Sequence, residues 1–364
     1  MNGFAFAGPG DSAGILKIME EDITPGGLQL LYTRRDDPYA SFLAESPEAK
    51  IGVVYSDGRV VATIAAIPRR MYINGRITKV CYVSNMKRLK DCSVNINWYK
   101  MFDETCKAVD CEIYFCSLLS DNEAVQKMLH KKRRYMPWSE VMCKYKTYIL
   151  SPKVRDPVFL KMQKGPDKDK GIQLMRGSSS DETEIVRYLN AVGRGRNLFP
   201  VFDTLSDIGD LRPEDFCLVK RDGRIAAAGA LWDRSKVKQY VVKGCHGIYA
   251  FLRFLNPILP WLGYIQIPED DEIAPVAFIS FLLADNDDEY LYRCLLNYIC
   301  TNARGRYSML VTGNDGNNAK RPILDSLKSV SFETQFNEIT MTNMDGKVPK
   351  EHDWKCIEAE CALL

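Results

Sequence analysis

Three basic residues stand together at a point where the chain could bind a phosphate group. Lys87, Arg88 and Lys90 follow an alternating apolar run, and a stretch with helical periodicity comes after them. The pattern predicts a strand, a turn and a helix over residues 80–110. The first N–H groups of a helix are unpaired and lie at the positive end of its dipole, so this turn favours a phosphate or a pyrophosphate.

The helix of this unit is predicted from apolar residues that recur every three or four positions between Ile96 and Val109. Ser93 or Asn95 is the expected N-cap, because Ser and Asn side chains accept hydrogen bonds from the first free N–H groups of a helix.

Few other residues have the types or the spacing of a metal site or a nucleophile. The chain has three histidines and no Cys-x-x-Cys pair, so we expect no catalytic metal. Cys81 and Cys116 lie within apolar runs without a histidine nearby. We interpret them, like most of the twelve cysteines, as reduced packing residues.

Length and charge limit the classes of protein that fit. The 364 residues suggest two domains of roughly 180 residues each. Charged residues make up 26% and the net charge is +2, which gives no electrostatic reason to expect a nucleic-acid or membrane partner. Residues 1–14 lack the pattern of a signal peptide and no long apolar run follows, so the expected location is cytoplasmic.

The first half predicts a mixed α/β unit. Ile15 to Met19 is a short alternating apolar piece, and residues 28–43 favour a mixed helical region. Tight turns at Asp57-Gly58 and Asn74-Gly75 predict antiparallel strands, and Glu112 to Leu119 predicts a strand buried on both faces.

The second half repeats this order of elements. Asp222-Gly223-Arg224 matches the earlier Asp-Gly-Arg turn, a strand at Val276 to Leu283 precedes a helix, and Phe332 to Met341 predicts a closing strand. Residues 151–171 have the proline, glycine and charge content of a linker. We therefore predict two domains, residues 1–165 and 166–364.

In this order of elements the chain resembles a tandem member of the GNAT acyltransferase superfamily, over about residues 15–150 and 172–341. The resemblance implies an α/β (α+β) fold with a mixed sheet and two tandem GNAT-like acyl-CoA N-acyltransferase domains. It also implies an acyl-CoA, acetyl-CoA first among them, as the acyl donor.

The family's motif, Val-x-Pro-x-x-Arg/Gln-x-x-Gly-x-Gly/Ala, can be placed on the first half. Val83 falls on the valine, Asn85 on the proline and Arg88 on the Arg/Gln position, while Asp91 and Ser93 replace the two glycines. Side chains at these two positions limit the approach of the backbone to a pyrophosphate. The resemblance implies cofactor contacts from six residues: Val83, Ser84, Lys87, Arg88, Lys90 and Ser93.

The equivalent turn of the second half is Asp285-Asn286-Asp287-Asp288-Glu289. Like charges ~4 Å apart repel by about 4 kcal/mol at an effective dielectric of 20, so four acids disfavour a diphosphate. We interpret this turn as a helix N-cap and expect any acyl-CoA site in the first half.

Acid and base candidates follow from the resemblance. The family often carries a tyrosine as general acid on the helix after the buried strand, but here His130 is the residue in that region able to donate a proton. Glu112, which opens the buried strand, is the candidate general base. Either residue could instead be purely structural.

The resulting expectation is an acyl-CoA-dependent N-acyltransferase that acts by direct transfer on a small-molecule or peptide amine, without a metal. The main alternative is a non-catalytic GNAT-like binding module, in which the glycines are lost because no cofactor must fit. A third possibility is an aminoacyl transferase of related tandem fold that uses aminoacyl-tRNA. It would need a large basic groove, which the balanced charge does not favour.

Overall fold

A computed structural model describes residues 3–21, 27–120, 126, 138–163, 171–340 and 352–364. The elements of the first half are β1 Gly3–Phe6, α1 Ser12–Glu20, β2 Leu28–Thr33, α2 Pro38–Glu45, β3 Lys50–Ser56, β4 Arg59–Ile73, β5 Arg76–Arg88, α3 Trp98–Lys107, β6 Ile113–Leu119 and β7 Trp138–Leu150.

The second half follows with a comparable series. Its elements are α4 Pro157–Met162, β8 Ile172–Arg176, α5 Glu182–Gly193, β9 Phe199–Pro200, β10 Phe216–Arg221, β11 Arg224–Trp232, β12 Gln239–Cys245, α6 Ile248–Phe254, β13 Val276–Ala284, α7 Glu289–Ala303, β14 Met309–Asp315, α8 Arg321–Asp325 and β15 Ser329–Thr340. A final 3₁₀ turn spans Cys361–Leu363. The position between the two predicted domains, 165/166, lies outside the described residues.

The repeated hairpins have the same turn geometry. Asp57 and Gly58 have φ values of 49° and 75°, and Asp222 and Gly223 have 51° and 76°. Two positive φ angles in succession are characteristic of the tight turn whose twist matches antiparallel strands. Both predicted hairpins are therefore confirmed as tight turns of one conformation.

One mixed sheet contains strands from both halves. Its order is β1-β3-β4-β5-β6-β15-β7-β14-β13-β11-β10-β8, with β9 paired to β4. The pairs β5–β6 and β13–β14 are parallel. The last strands of the halves are exchanged, since β15 lies beside β6 and β7 lies beside β14. The sequence predicts the mixed α/β class, but its pattern does not reveal this exchange.

The helix α1 differs from the alternating piece expected at its position. Ile15, Ile18 and Met19 are fully or almost fully buried. Because they follow the i, i+3, i+4 spacing of one helical face, they cover the first half of the sheet as a helix. Among the described residues, no helix is long and apolar enough to cross a membrane.

The prediction for residues 28–43 is wrong in its first part. Leu28–Thr33 forms β2, and the helix α2 starts only at Pro38. The strand pairs with β12 of the other half, for example Leu31 with Val241, in a separate two-stranded sheet. Its conformation depends on a partner about 200 residues away in the chain, which local periodicity cannot indicate.

Candidate active site

The parallel pairing of β5 and β6 in the first half stops partway along the two strands, and the region beyond the last pair is called a cleft below. β5 and β6 pair from Val80 with Ile113 to Tyr82 with Phe115. No pairing between them continues past that point in the described part of the chain. Val83 and Ser84 come next on β5, so the structure brings these two predicted residues to the opening.

A β-bulge bends β5 at this opening. Ser84 pairs with Ala65 and Lys87 with Thr63, so two residues of β5 oppose one of β4. One of them, Asn85, has a φ of 52°. A bulge with a positive φ redirects the backbone groups of the strand, as bulges near functional sites often do.

The second half contains the same arrangement. β13 and β14 pair from Val276 with Met309 to Phe278 with Val311, and β13 then bulges opposite β11. Phe281 at this bulge has a φ of 53°. The matching registers make Phe281 the structural counterpart of Asn85, so the molecule has a first and a second cleft of one design.

The second cleft is occupied by the chain itself. The Phe281 N–H donates to Glu360 Oε1 at 2.8 Å. Burial, with the charge of Glu358 in addition, raises the pKa of Glu360 to about 8. Nearby, Lys320 Nζ donates to the Leu282 carbonyl at 2.9 Å and pairs with Glu358. A carboxyl group of the protein thus binds the bulge N–H of this cleft.

The second cleft also indicates what the first can do. The N–H of Phe281 binds a carboxyl oxygen, and by register and φ angle the N–H of Asn85 is its counterpart in the first half. A backbone donor fixed in this way can stabilise a developing oxyanion. The sequence predicted Val83 and Ser84 as site residues but did not identify Asn85 as one. Asparagine tolerates positive φ better than most residues, but that tolerance alone does not mark a site.

The predicted phosphate contacts lie beyond the bulge. Lys87 and Arg88 end β5, and the Arg88 side chain is exposed. The Lys90 N–H donates to Glu21 Oε2 at 2.9 Å, so Glu21 fixes the start of the following loop. The cations therefore lie at the same end of β5 as the cleft.

The helix after this strand begins later than predicted. α3 starts at Trp98, and Asn97 is its N-cap, since Asn97 Oδ1 accepts from the Lys100 N–H at 3.0 Å. Ser93 and Asn95 lie exposed in the connecting loop, so the prediction that one of them caps the helix is wrong. Ile96 is buried from this loop and not from the helix, which is why the apolar pattern extended the helix too far.

The two acid–base candidates are not brought to the cleft by the described residues. Glu112 is exposed just before β6, and its N–H donates to the Lys79 carbonyl at 3.0 Å. That position is at the closed end of the parallel pairing, opposite to the opening. His130 lies outside the described residues. Within the cleft, Tyr82 Oη lies 2.7 Å from Ser117 Oγ, and burial raises the pKa of Tyr82.

Five buried charged residues form a cluster where the two halves meet. This central charge cluster consists of Arg34, Glu45, Arg69, Arg234 and Lys238. Glu45 accepts from Arg34 at 2.7 Å and from Arg69 at 3.0 Å. Burial alone would raise the pKa of Glu45, but the surrounding cations outweigh it and lower the pKa to about 2.

Lys238 is a residue of this cluster whose basicity is strongly altered. Burial lowers its pKa to about 7, although Glu45 opposes the effect. Its Nζ donates to the Leu364 main-chain oxygen at 2.7 Å. The half-buried rings of Tyr32 and Tyr240 lie 5.7 Å apart, and the Arg34 guanidinium lies over the Tyr32 ring. Sequence patterns do not indicate the cluster, because its members lie in a helix, a strand and loops up to about 200 residues apart in the chain.

Comparisons with known proteins place the fold. Neither a protein-family model nor a curated protein sequence matches the chain. The chain is similar to a structure of Saccharomyces cerevisiae N-myristoyltransferase with bound myristoyl-CoA and inhibitors, at 11% identity, 99% coverage of this chain, 87% of that chain and a TM-score of 0.57. A second structure of that enzyme, with bound myristoyl-CoA, gives 10%, 98%, 84% and 0.53.

A conserved Enterococcus faecalis protein of unknown function, described as a probable N-acyltransferase, gives 9% identity, 94% and 74% coverage and a TM-score of 0.47. The likeness to the yeast structures establishes the fold of this chain, a mixed α/β fold with two GNAT-like halves, as the resemblance implied.

Proposed function

We propose that the protein is an N-acyltransferase that moves an acyl group directly from a CoA thioester to an amine. The observation that carries the proposal is the difference between the two clefts. The bulge N–H of the second cleft, at Phe281, donates to Glu360 of the same chain, whereas its counterpart Asn85 lies at the bulge of β5, three residues beyond the last pair with β6.

The reaction needs little beyond positioning and charge stabilisation. The amine attacks the thioester carbonyl, the new C–N bond forms, the C–S bond breaks, and CoA leaves as the thiolate. The Asn85 N–H stabilises the negative charge that develops on the carbonyl oxygen. Val83 and Ser84 precede Asn85 on β5. The acyl group would therefore lie between β5 and β6, next to these two residues.

The phosphates of CoA are assigned to the basic end of β5. Lys87 and Arg88 are the principal contacts, since cations with N–H donors bind phosphate oxygens strongly. Lys90 and Ser93, in the loop that follows, complete the proposed contact set. The yeast structures were determined with myristoyl-CoA, so long-chain acyl-CoAs are included with acetyl-CoA as donors to be compared.

The acceptor amine, of a small molecule or a peptide, is assigned to the region of the central charge cluster. Lys238, whose pKa of about 7 leaves a large neutral fraction at neutral pH, is the proposed proton acceptor. Arg234 Nη2 is buried and makes no hydrogen bond with a described residue. It is therefore a donor that could bind a polar group of the acceptor.

Calorimetric titration with acetyl-CoA and with myristoyl-CoA tests the proposal. Arg88→Glu should weaken binding at least about tenfold, because the substitution replaces a cation that binds phosphate with a carboxylate that repels it. Arg76→Glu is the matched control, since Arg76 is an exposed arginine at the other end of the same strand. A flat titration with both acyl-CoAs would reject the enzyme and favour the non-catalytic binding module.

A further inference from the structure

Seven large apolar side chains are exposed together in the segment from α6 to residue 264. α6 contains no buried residue. Phe254 and Trp261 are 82% and 74% exposed. The complete set, called the apolar surface below, is Ile248, Phe251, Phe254, Ile258, Trp261, Leu262 and Tyr264. Single exposed apolar residues are normal, but a contiguous group of this kind marks an interaction surface.

The segment is held in a defined conformation. Asn256 Nδ2 donates to the Ile267 carbonyl at 2.7 Å, and its Oδ1 accepts from the Ile267 N–H at 3.0 Å. Leu259 and Ile265 are buried and attach the segment to the molecule. The outward direction of the neighbouring aromatic and aliphatic side chains is therefore a property of the folded loop.

Basic residues surround one side of the apolar surface. Lys153 Nζ lies 5.5 Å from the centre of the Trp261 ring, and Lys328 Nζ lies 4.6 Å from that of Tyr264. Arg155 and Arg304 line a hollow of about 180 Å³ together with Trp261. All four cations are exposed, and none forms an ion pair with another described residue.

Acidic residues near the segment are paired with other cations. Asp270 pairs with Arg253 at 2.8 Å, and Asp271 pairs with Lys243 at 2.5 Å. The positive charge beside Trp261 and Tyr264 is thus left for an external partner. A second copy of the chain, docked through the same surface, would bring the four cations against their own copies.

We propose that the apolar surface docks the protein onto an anionic lipid bilayer. Tryptophan and tyrosine prefer the boundary between headgroups and acyl chains, where an apolar body and a polar edge are both satisfied. Lysine and arginine beside them bind anionic headgroups, each contributing about 1 kcal/mol near the surface. The net charge of +2 argued against a membrane partner, but it averages over the whole chain and conceals this local concentration.

Cosedimentation with vesicles tests the proposal on the full chain. The vesicles are phosphatidylcholine alone or mixed with phosphatidylserine. Wild-type protein should bind the mixed vesicles, and Phe254→Glu/Trp261→Glu should reduce binding at least about tenfold, because it removes two large apolar groups from the interface. The matched control is Ile77→Glu/Leu174→Glu, which replaces two exposed apolar residues elsewhere and should leave binding unchanged.

A second variant tests the electrostatic part. Lys153→Gln/Lys328→Gln should weaken binding to the mixed vesicles about tenfold or more. Absence of wild-type binding, equal binding to both kinds of vesicle, or equal binding by the Phe254→Glu/Trp261→Glu variant would each overturn the proposal. So would a dimer in sedimentation velocity that this variant abolishes while vesicles bind no protein, since the occupant would then be a second copy.

Discussion

At the scale of single residues, Glu45 holds cations from different parts of the chain at the centre of the molecule. Arg34 and Arg69 hydrogen-bond its two oxygens, and Arg234 of the second half lies 3.8 Å from one of them. All these side chains are at most 4% exposed. A buried charge is tolerated when it is paired. The Glu45 carboxylate is the ion-pair partner of Arg34 and Arg69, whereas Arg234 also pairs with Asp210 at 3.0 Å.

Replacing Glu45 by glutamine should therefore lower the free energy of unfolding by about 3–5 kcal/mol, because uncompensated guanidinium groups remain buried. Denaturant unfolding followed by circular dichroism measures the change. Glu48→Gln is the control, since Glu48 pairs with Lys79 at the surface and its loss should cost less than about 1 kcal/mol. Similar costs for both variants would contradict this account of the cluster.

Glu360 makes stability depend on pH. Its pKa is raised from 4.5 to about 8, so between these values the native state keeps a proton that the unfolded state has lost. The stability from this group is complete below about pH 4.5 and is lost as the pH rises through about 8.

Glu360→Gln should remove this decline, which is on the order of a few kcal/mol. The measurement is the difference in unfolding free energy between variant and wild type across this range, in which the contributions of other titrating groups cancel. Parallel curves for the two proteins would show that Glu360 titrates normally in the native state.

At the scale of the elements, the acidic turn before α7 acts as a helix cap. Asp288 Oδ1 accepts from the N–H groups of Tyr290 and Leu291 at 2.8 and 3.2 Å. The carboxylate thus satisfies the donors that an anionic ligand would otherwise bind. This agrees with the interpretation of the turn from its sequence.

Asp288→Ala should lower the free energy of unfolding by about 1 kcal/mol, and Asp288→Asn should retain most of it, because asparagine also caps helices well. Neither substitution should change acyl-CoA affinity. An increase in affinity on Asp288→Asn, measured by calorimetry, would mean that charge repulsion alone had kept a phosphate from this turn.

Local sequence patterns predicted some of the helices and strands correctly and others wrongly. Asp-Gly turns and long apolar runs depend on neighbouring residues, and the strands predicted from them are present. β2 and the start of α3 were mispredicted because the first depends on β12 and the second on a cap at Asn97. The central charge cluster and the role of Asn85 were missed, because long-range contacts and one backbone angle define them.

At the scale of the whole molecule, the exchanged strands join the two halves. β15 pairs with β7 along its full length, from Ser329 with Leu150 to Thr340 with Trp138. It also pairs with β6 on its other edge. Neither half can complete its part of the sheet without a strand from the other.

We therefore expect one cooperative unfolding transition for the whole chain, with coincident curves from far-ultraviolet circular dichroism and tryptophan fluorescence. The physical reason is that opening either half breaks the pairing of both exchanged strands. Two separated transitions would instead indicate that the halves are stable independently, as the linear division at residues 165/166 would suggest.

We propose that an acyl-CoA binds the first cleft, while Glu360 of the chain itself occupies the second. Hydrogen–deuterium exchange with and without an acyl-CoA tests this difference, because both bulges can be followed in one experiment. We predict slower exchange in peptides that cover residues 83–88 and no change over residues 280–284. Slower exchange at the second bulge, or none at the first, would contradict the account.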